Sequence, residues 1–233
     1  MITDPLFGAG RPARRKKTAT DLSRFGTTCS CNMNSLALEV GSGIGSNVRF
    51  LDSKSDKLFL LEPDSNFYRN FLVLIAETNL NIVALNGTIS QIESGLTFDM
   101  IYYIDVLEHI ENDHDELIRI AKHLNSGGLL FILVPAHRLL FSDFDKSVGH
   151  FRRYDKKSFR KIVPKELSIT EMKYLDSVGA VGSFLNKVMG SGSVTLRKIK
   201  FWDRYIVPLS KLIDPLLRYR LGKSLVVKLT RLP

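Results

Sequence analysis

The chain alternates short apolar runs with longer stretches in which apolar residues recur every three to four positions. A short continuous apolar run predicts a strand that is buried on both faces, whereas the 3.6-residue period predicts an amphipathic helix. On this basis we predict strands at about residues 35–40, 57–64, 81–85, 99–104, 129–135, 167–176 and 224–229. Strands that alternate with helices in this way are typical of an α/β fold whose sheet is largely parallel.

The helices are predicted from their caps and apolar faces. The first covers about 44–53, and a short one covers about 156–163, after a polar and aromatic loop at 136–155. A better marked helix begins after Asn112, which can cap it, and is predicted to end at Ser126-Gly127-Gly128. The apolar face of the helix that follows the second strand is formed by Phe67, Phe71, Leu74 and Ile75.

Composition divides the chain into a basic arm and one large domain. Residues 1–34 contain Gly, Pro, Arg and Lys without periodicity, which predicts a poorly ordered arm; a phosphate-binding role for residues 14–17 is the alternative. Residues 35–233 are long enough to bury a large core. Within this domain, residues 188–222 are rich in Leu, Ile, Arg and Lys, and we predict a basic amphipathic insertion before the last strand.

The positive charge is concentrated at one end of the chain. The formal net charge is +9, and residues 180–233 hold 11 Lys and Arg against two Asp, while the remainder is balanced. This distribution argues against a protein that coats nucleic acid with its whole surface and favours a local anionic partner.

The two cysteines and the apolar runs indicate the compartment. Cys29 and Cys31 are too close for an unstrained disulfide, so we expect free thiols in a reducing environment. No run of 18 apolar residues and no secretory signal is present, and a cytoplasmic protein is therefore expected.

A glycine-rich turn follows the first predicted strand, in the order Leu38-Glu39-Val40-Gly41-Ser42-Gly43-Ile44-Gly45. Glycine lets such a turn at a helix start adopt a left-handed backbone with positive φ and lets a ligand approach the backbone closely, and many nucleotide-binding folds use one. Glu62 ends the second strand, 17 residues after Gly45, where a carboxylate can accept both hydroxyls of a ribose. NAD and S-adenosylmethionine (SAM) both fit this arrangement.

Two residues favour SAM over NAD. The dinucleotide fingerprint G-x-G-x-x-G requires a glycine where this chain has Ser46. Glu39 precedes the turn, where it can bind the cationic amino group of a methionine moiety but would repel a pyrophosphate.

Several segments in order resemble the motifs of class I SAM-dependent methyltransferases. The glycine turn resembles their first motif; the segments Tyr103–Ile110, Leu124–Gly128 and Val134-Pro135 resemble later ones, so that the likeness covers about residues 35–180. Val134–His137 with Gly149–Tyr154 further resembles a bacterial-type subgroup with a VPAH…GHxRRY loop. The resemblance implies a Rossmann-like, seven-stranded, mostly parallel sheet with helices on both faces and the last strand antiparallel.

The resemblance also implies the cofactor, SAM, and its contacts. Glu39 would lie near the methionine amino group, Glu62 with Pro63 would bind the ribose, and Asp105 would flank the methionine moiety and the methyl group. The amides that would hold the methionine carboxylate belong to Gly41, Ser42, Gly43 and Gly45. Thr88 and Ile89 would occupy the adenine edge, where many members have an Asp instead.

Residues for the acceptor and for catalysis are predicted in the loop after the fifth strand. His137 and then His150 are candidates for a general base, with Asp105 beside the reacting methyl group, and a polar histidine that anchors a loop is the alternative. The segment Arg152-Arg153-Tyr154 could clamp a phosphate or carboxylate of the acceptor. Its alternative is a loop-anchoring ion pair with Asp143 or Asp145.

No metal is the preferred prediction, and a divalent ion on Asp105, Glu108 and His109 is the alternative. Some related O-methyltransferases place a metal on an acid-x-x-Glu-His cluster, and His137 could be a fourth ligand here. The segment Leu107-Glu108-His109 is, however, widespread in members without a metal, where it starts the helix.

We therefore predict a SAM-dependent methyltransferase that acts on oxygen or nitrogen of a small-molecule or lipid- or glycan-linked acceptor. A non-catalytic SAM- or nucleotide-binding module is the alternative from another class, and an NAD(P)-dependent oxidoreductase is less favoured. The insertion at 188–222 is predicted to cover the acceptor and to touch a membrane surface; a helical cap on the sheet is the alternative, and nucleic-acid binding is disfavoured.

Overall fold

The computed structural model describes residues 35–51, 55–76, 81–188 and 201–233. Its strands are β1 Leu36–Val40, β2 Lys57–Glu62, β3 Ile82–Asn86, β4 Phe98–Ile104, β5 Leu124–Pro135, β6 Leu167–Leu175 and β7 Ser224–Arg231. Its helices are α1 Val48–Leu51, α2 Ser65–Ala76, α3 Asp113–Lys122, α4 Asp143–Ser147, α5 Lys156–Ile162, α6 Ser177–Val188 and α7 Val207–Leu216. The predicted arm at 1–34, with both cysteines, lies outside the described residues, as do 189–200 of the predicted insertion.

The seven strands form one sheet in the order β3-β2-β1-β4-β5-β7-β6. Neighbouring strands from β3 to β5 pair in parallel, whereas β7 pairs antiparallel with β5 on one side and with β6 on the other. The predicted Rossmann-like sheet with an antiparallel last strand is therefore confirmed.

Each central strand buries side chains on both faces. The buried apolar residues form two clusters, one on each face of the sheet. Leu38 of β1 and Ile132 of β5 belong to one cluster, and their neighbours Ala37 and Phe131 belong to the other. This alternation explains why the strands read as continuous apolar runs, since neither face meets water.

The boundary between α3 and β5 differs from the prediction. The helix ends at Lys122, and β5 begins at Leu124, so that Ser126-Gly127-Gly128 lies inside the strand. Gly127 has φ +75°, and the register with β4 shifts between Phe98 and Met100, as at a β-bulge. Gly127 and Gly128 therefore do not end the helix; they lie in the irregular part of the strand, where the register with β4 shifts.

Two further helix predictions are modified. The helix expected at 44–53 has only its central part, α1, as regular helix among the described residues. The loop expected at 136–155 contains a 3₁₀ turn at Arg138–Leu140 and the short helix α4.

The described part of the insertion packs on the sheet through buried aspartates. Asp214 on α7 is fully buried and accepts hydrogen bonds from the backbone N–H groups of Asp176 and Ser177 at 3.0 and 2.9 Å. Asp176, which follows β6, in turn accepts from Ser210 Oγ at 2.8 Å and Trp202 Nε1 at 3.2 Å. Within the described ranges, no helix is both long and apolar enough to cross a bilayer.

Candidate cofactor and acceptor site

The carboxyl ends of β1 and β4 mark the point where the strand order reverses. The chain moves outward from β1 through β2 to β3, then returns to the other side of β1 at β4. Ligands of open parallel sheets bind at this switch point, and the residues that follow these strands therefore form the candidate site.

The glycine turn after β1 has the left-handed backbone that glycine permits. Gly41, Gly43 and Gly45 have φ of +64°, +56° and +72°. A Cβ placed on Gly41 would lie 2.6 Å from Val106 Cγ2, so the turn is also pressed against the segment that follows β4. Glycine at this position is required both by the backbone conformation and by space.

The backbone of the turn is tied to β2. The N–H groups of Gly41 and Ser42 donate to the carbonyl of Leu61 at 2.8 and 3.2 Å, and the hydroxyl of Ser42 donates to the carbonyl of Glu39 at 2.9 Å. These bonds fix the turn against β2. The predicted contact of these amides with a methionine carboxylate remains a prediction.

Glu39 lies buried at the end of β1, with 1% of its surface exposed. Asn47, which is buried before α1, donates from Nδ2 to Glu39 Oε1 at 2.6 Å. Asn47 thus orients the carboxylate beside the turn. The pattern of apolar residues did not single out this asparagine, although its place eight residues after Glu39 brings it back to the strand.

Glu62 connects the two strands of the site. Its Oε2 accepts from the N–H of Gly43 at 2.6 Å, and its Oε1 accepts from the N–H of Asp64 at 3.0 Å. Because the carboxylate is buried and held by two amides, it is fixed next to the glycine turn. Pro63, between them in sequence, is exposed.

The predicted adenine-edge residues lie after β3 and differ in exposure. Thr88 is exposed; its N–H donates to Gln91 Oε1 at 2.8 Å, and its hydroxyl lies 2.9 Å from Ser90 Oγ. Ile89 is 1% exposed and belongs to the core cluster. A contact of Ile89 with adenine would therefore use its backbone, and the predicted adenine contact through a hydroxyl or backbone group of Thr88 and Ile89 remains a prediction.

Asp105 has the strained backbone that often marks a functional position. Its φ is +54°, and its N–H donates to the carbonyl of Leu133 at 2.9 Å, which continues the pairing of β4 with β5. A non-glycine residue in this region costs about 1–3 kcal/mol and persists where the surrounding structure enforces it.

His137 lies at the end of β5 and also has a positive φ, of +60°. Its ring stacks on Tyr174 with centroids 4.6 Å apart, and Nε2 is buried without a hydrogen-bond partner among the described residues. Burial lowers the pKa of His137, against an opposing effect of Asp155. The ring is therefore neutral near pH 7 and able to accept a proton, as the predicted base requires.

His150 is buried in a charged network. Its Nδ1 lies 2.8 Å from Asp145 Oδ1, and Asp145 also receives Nε and Nη2 of Arg153, each at 2.9 Å. Burial alone would raise the pKa of Asp145, but the bonds from His150 and Arg153 outweigh it and hold that pKa well below its usual range. For Arg153, the structure contains the loop-anchoring ion pair with Asp145 that was the alternative to an acceptor clamp.

Arg152 and Tyr154 both contact Asp113 at the start of α3. Arg152 Nη1 lies 2.7 Å from Asp113 Oδ2, and the hydroxyl of Tyr154 donates to the same oxygen at 2.8 Å. Tyr154 is 2% exposed and packs against Phe159, and its predicted contact with the acceptor remains a prediction. Burial and the Asp113 carboxylate raise its pKa, which keeps it protonated.

An open cavity of about 560 Å³ lies beside these residues. Its lining is aromatic and basic, and consists of Asp113, Arg138, Phe141, Phe151, Arg152, Arg153, Tyr154, Ser158 and Ile162. The predicted clamp residues therefore border a cavity large enough for a small molecule.

The structure brings Glu108, His109 and His150 together within the described part of the chain. One possible ligand atom from each lies within 4.8 Å of the others. Neither Asp105 nor His137, which the alternative metal prediction included, belongs to this group. Spacing along the sequence could not reveal His150, because it arrives from the loop after β5.

Comparison with known proteins identifies the family. A family model described as a methyltransferase domain matches residues 13–188, which is most of the chain. The chain belongs to this family. Membership favours the methyltransferase prediction over an oxidoreductase; it does not test the VPAH…GHxRRY subgroup.

Curated relatives of this methyltransferase domain match over a limited region. A ubiquinone biosynthesis O-methyltransferase from Rickettsia akari is 25% identical over 95 residues, which is 41% of this chain and 38% of the relative. One from Rickettsia bellii is 23% identical over 95 residues. The chain thus matches about two fifths of the length of these relatives.

Solved structures share the fold at low identity. A chain from the Haloferax volcanii complex with the Trm112 methyltransferase activator aligns over 100% of both chains, with a TM-score of 0.68 and 15% identity. A SAM-dependent methyltransferase from Clostridium acetobutylicum covers 94% of this chain and 92% of its own, with a TM-score of 0.62 and 12% identity. The N-methyltransferase NodS from Bradyrhizobium japonicum, in complex with S-adenosyl-L-homocysteine, gives a TM-score of 0.58 at 15% identity over 100% and 93%.

Proposed function

We propose that this methyltransferase uses SAM and transfers its methyl group to oxygen or nitrogen of a small or lipid-linked acceptor. The observation that carries the proposal is the pair of buried carboxylates, Glu39 and Glu62, on either side of one glycine turn. Two negative charges suit a ligand with a cationic amino group, a sulfonium and a ribose diol, and they oppose a pyrophosphate. The structural relative with bound S-adenosyl-L-homocysteine supports the same cofactor.

The proposed reaction requires no covalent bond between the protein and the transferred methyl group. Methyl transfer is an in-line displacement from a sulfonium, so alignment of acceptor atom, methyl carbon and sulfur provides much of the acceleration. A base is needed where the acceptor must lose a proton, and we propose His137 for this role because its pKa is lowered and its Nε2 has no hydrogen-bond partner in the part of the chain that the structure describes.

Calorimetry on the full chain with SAM, S-adenosyl-L-homocysteine and NAD tests the cofactor. We expect both sulfur ligands to bind and NAD to bind at least about tenfold more weakly. Replacement of Glu62 by Gln removes hydrogen bonds of a charged acceptor, each of which is worth about 1.5–3 kcal/mol, so SAM affinity should fall about 10- to 100-fold. Glu93→Gln, at an exposed site away from the switch point, is the matched control.

Two results of the calorimetry, and one result of a turnover assay with SAM and cell extract, would count against the proposal. Tight binding of NAD without SAM would support an oxidoreductase, and unchanged SAM affinity in Glu62→Gln would place the ribose elsewhere. Binding of SAM without turnover on any fraction of a cell extract, including lipids, would favour the non-catalytic module.

The surface of α7 supports a lipid-linked acceptor. On α7, Leu209, Leu212 and Leu216 recur at the spacing of one helix face, and Leu212 and Leu216 are 72% and 81% exposed. Tyr205, on the π-helical turn Trp202–Ile206 that precedes α7, is also exposed. Exposed Phe184 and Leu185 on α6 extend the apolar surface, and its surroundings include the exposed cations Arg204, Arg218 and Arg220. An apolar face bordered by cations is typical of helices that lie in the interface of an anionic membrane.

A further inference from the structure

We infer that Glu108, His109 and His150 bind a divalent first-row transition-metal ion such as Zn²⁺ or Mn²⁺. One carboxylate oxygen and two imidazole nitrogens can be chosen so that all three lie within 4.8 Å of one another. Glu108 Oε1 lies 3.7 Å from His150 Nε2, and both residues are buried. Ligands about 2.1 Å from one tetrahedral ion are separated by about 3.4 Å. The Glu108–His150 pair therefore has to approach by about 0.3 Å, and the pairs that include His109 by at most about 1.4 Å.

Backbone contacts bring the three residues together. Glu108 and His109 lie on the 3₁₀ turn Leu107–His109 after β4. The N–H of Phe151 donates to the carbonyl of Glu108 at 2.9 Å, which holds the loop after β5 against this turn. The rings of His109 and His150 then meet edge to face with centroids 4.6 Å apart.

The Nδ1 atom of each histidine lies beside an acceptor, which is the usual arrangement for a histidine that binds a metal through Nε2. His150 Nδ1 lies 2.8 Å from Asp145 Oδ1, and His109 Nδ1 lies 3.1 Å from the carbonyl oxygen of Gly149. These acceptors place the ring proton on Nδ1, so that Nε2 carries the lone pair. Histidines that bind metals almost always donate their other N–H to a carboxylate or a backbone carbonyl.

Asp145 acts here as a positioning residue. Its second oxygen is held by Arg153 Nη2 at 2.9 Å and by the N–H of Ser142 at 2.9 Å, so the carboxylate that orients His150 is itself fixed. The pair of Asp145 with Arg153 thereby acquires a role beyond anchoring the loop.

The ligand set selects the class of metal. Two imidazoles and one carboxylate suit Zn²⁺, Mn²⁺, Fe²⁺ or Co²⁺, whereas Mg²⁺ prefers oxygen ligands. Three protein ligands leave at least one position for water or for an oxygen of another molecule, as in catalytic rather than structural metal sites. The site lies at the carboxyl edge of the sheet and does not depend on the identity of the cofactor.

Metal analysis of the purified full chain tests the inference. After chelator treatment and dialysis, the protein is titrated with Zn²⁺, Mn²⁺ and Mg²⁺, and bound metal is measured by mass spectrometry. We expect one equivalent of Zn²⁺ or Mn²⁺ and a higher Tm with the metal than without it, with little binding of Mg²⁺. Glu108→Gln, His109→Gln and His150→Gln should each weaken binding at least about 100-fold and remove the metal-dependent rise in Tm.

Matched variants separate a metal site from a structural network. His114→Gln and His123→Gln change histidines outside the cluster and should retain full metal affinity. Asp145→Asn should weaken binding about 10- to 100-fold, as expected for loss of the group that orients a ligand. If His150→Gln does not fold, His109→Gln, at a less buried position, gives the decisive measurement.

The inference is overturned if the wild-type chain binds no transition metal, or if Glu108→Gln and His109→Gln bind it as tightly as wild type. Equal loss in the His114→Gln control would also overturn it, since binding would then be nonspecific. SAM binding measured on the same samples keeps this outcome distinct from failure of the proposed function.

Discussion

Gly41 is constrained both by its backbone and by the side chain of Val106. A Cβ in the left-handed region costs about 1–2 kcal/mol, and at Gly41 it would also lie 2.6 Å from Val106 Cγ2. We predict that Gly41→Ala lowers the free energy of unfolding by more than Gly127→Ala, which has a similar φ of +75° but open space around it. Urea unfolding of both variants measures the difference.

The double variant Gly41→Ala/Val106→Ala tests the cause. If the clash contributes, truncation of Val106 should recover part of the stability that Gly41→Ala loses. Equal destabilisation by Gly41→Ala and Gly127→Ala would mean that Val106 can move away from the added Cβ without lowering the free energy of unfolding.

His137 gives the fold a specific pH dependence. Because burial lowers its pKa, the folded chain binds the proton less tightly than the unfolded chain, whose histidines titrate near 6.5. The stability that His137 contributes is therefore present above about pH 6.5 and is lost as the pH falls through the folded pKa. We predict that His137→Asn, which tolerates the positive φ, reduces the fall in unfolding free energy between pH 7 and pH 5.

The groups that face His137 determine how this result is interpreted. Asp155 raises its pKa and Arg153 lowers it, and both must stay ionised over the range measured. His114→Asn, at an exposed site, is the matched control and should keep the wild-type pH profile. A profile unchanged by His137→Asn would contradict the prediction.

For single residues, the sequence predicted the structure best where only one physical reason explains the residue type. The alternate glycines from Gly41 predicted a left-handed turn, and all three have positive φ. Asn47 and Asp145 were not identified as site residues, because their importance depends on distant partners. Arg153 illustrates the limit, since a basic pair in a loop looks the same whether it binds a ligand or a buried carboxylate.

A buried hydrogen bond joins β4 to α3. Tyr103 donates to Glu116 Oε1 at 2.7 Å, and burial with the nearby Glu116 carboxylate raises its pKa. We predict that Tyr103→Phe lowers the free energy of unfolding by about 1–3 kcal/mol, because Glu116 then loses a buried donor. Tyr102→Phe is the matched control, since Tyr102 on the same strand donates to the weak acceptor Met100 Sδ at 3.4 Å.

Thermal and urea unfolding of both tyrosine variants decide this prediction. Equal effects of Tyr103→Phe and Tyr102→Phe would mean that Glu116 finds another donor. Arg119, whose Nη1 lies 3.4 Å from Glu116 Oε2, already contacts the other oxygen of this carboxylate.

Strands were predicted better than the ends of helices. Strands buried on both faces require long apolar runs, and each of the seven lies within a few residues of its predicted range except at the start of β5. That error came from reading Gly127 and Gly128 as a helix stop, because a glycine pair serves a cap and a bulge equally well. The first helix starts at Val48 and not at about residue 44, because Gly45 has a positive φ that a right-handed helix does not permit.

For the whole molecule, the presence of excess positive charge and an exposed apolar face in the same segment predicts membrane contact. The chain carries a net charge of +9, with the excess in its last 54 residues, which include the exposed apolar face of α7. We predict that the chain co-sediments with vesicles that contain anionic lipid and that binding falls as salt increases. Leu212→Glu/Leu216→Glu should reduce binding at least about tenfold.

A matched variant controls for added negative charge. Leu72→Glu/Val73→Glu changes two exposed apolar residues on α2 and should leave vesicle binding near the wild-type level. Binding that is indifferent to anionic lipid, or equal loss in both double variants, would leave a helical cap on the sheet as the better account of α7.

The position of β7 in the sheet means that the sheet can be completed only at the end of translation. This strand is translated after the other six, yet it pairs with β5 on one side and with β6 on the other. Until residues 224–231 emerge from the ribosome, β5 and β6 each leave an unpaired edge, which is the kind of edge that other chains can join. A nonsense mutation shortly before Ser224 would therefore remove β7 from between β5 and β6 rather than trim an edge of the sheet, and we expect the truncated chain to aggregate.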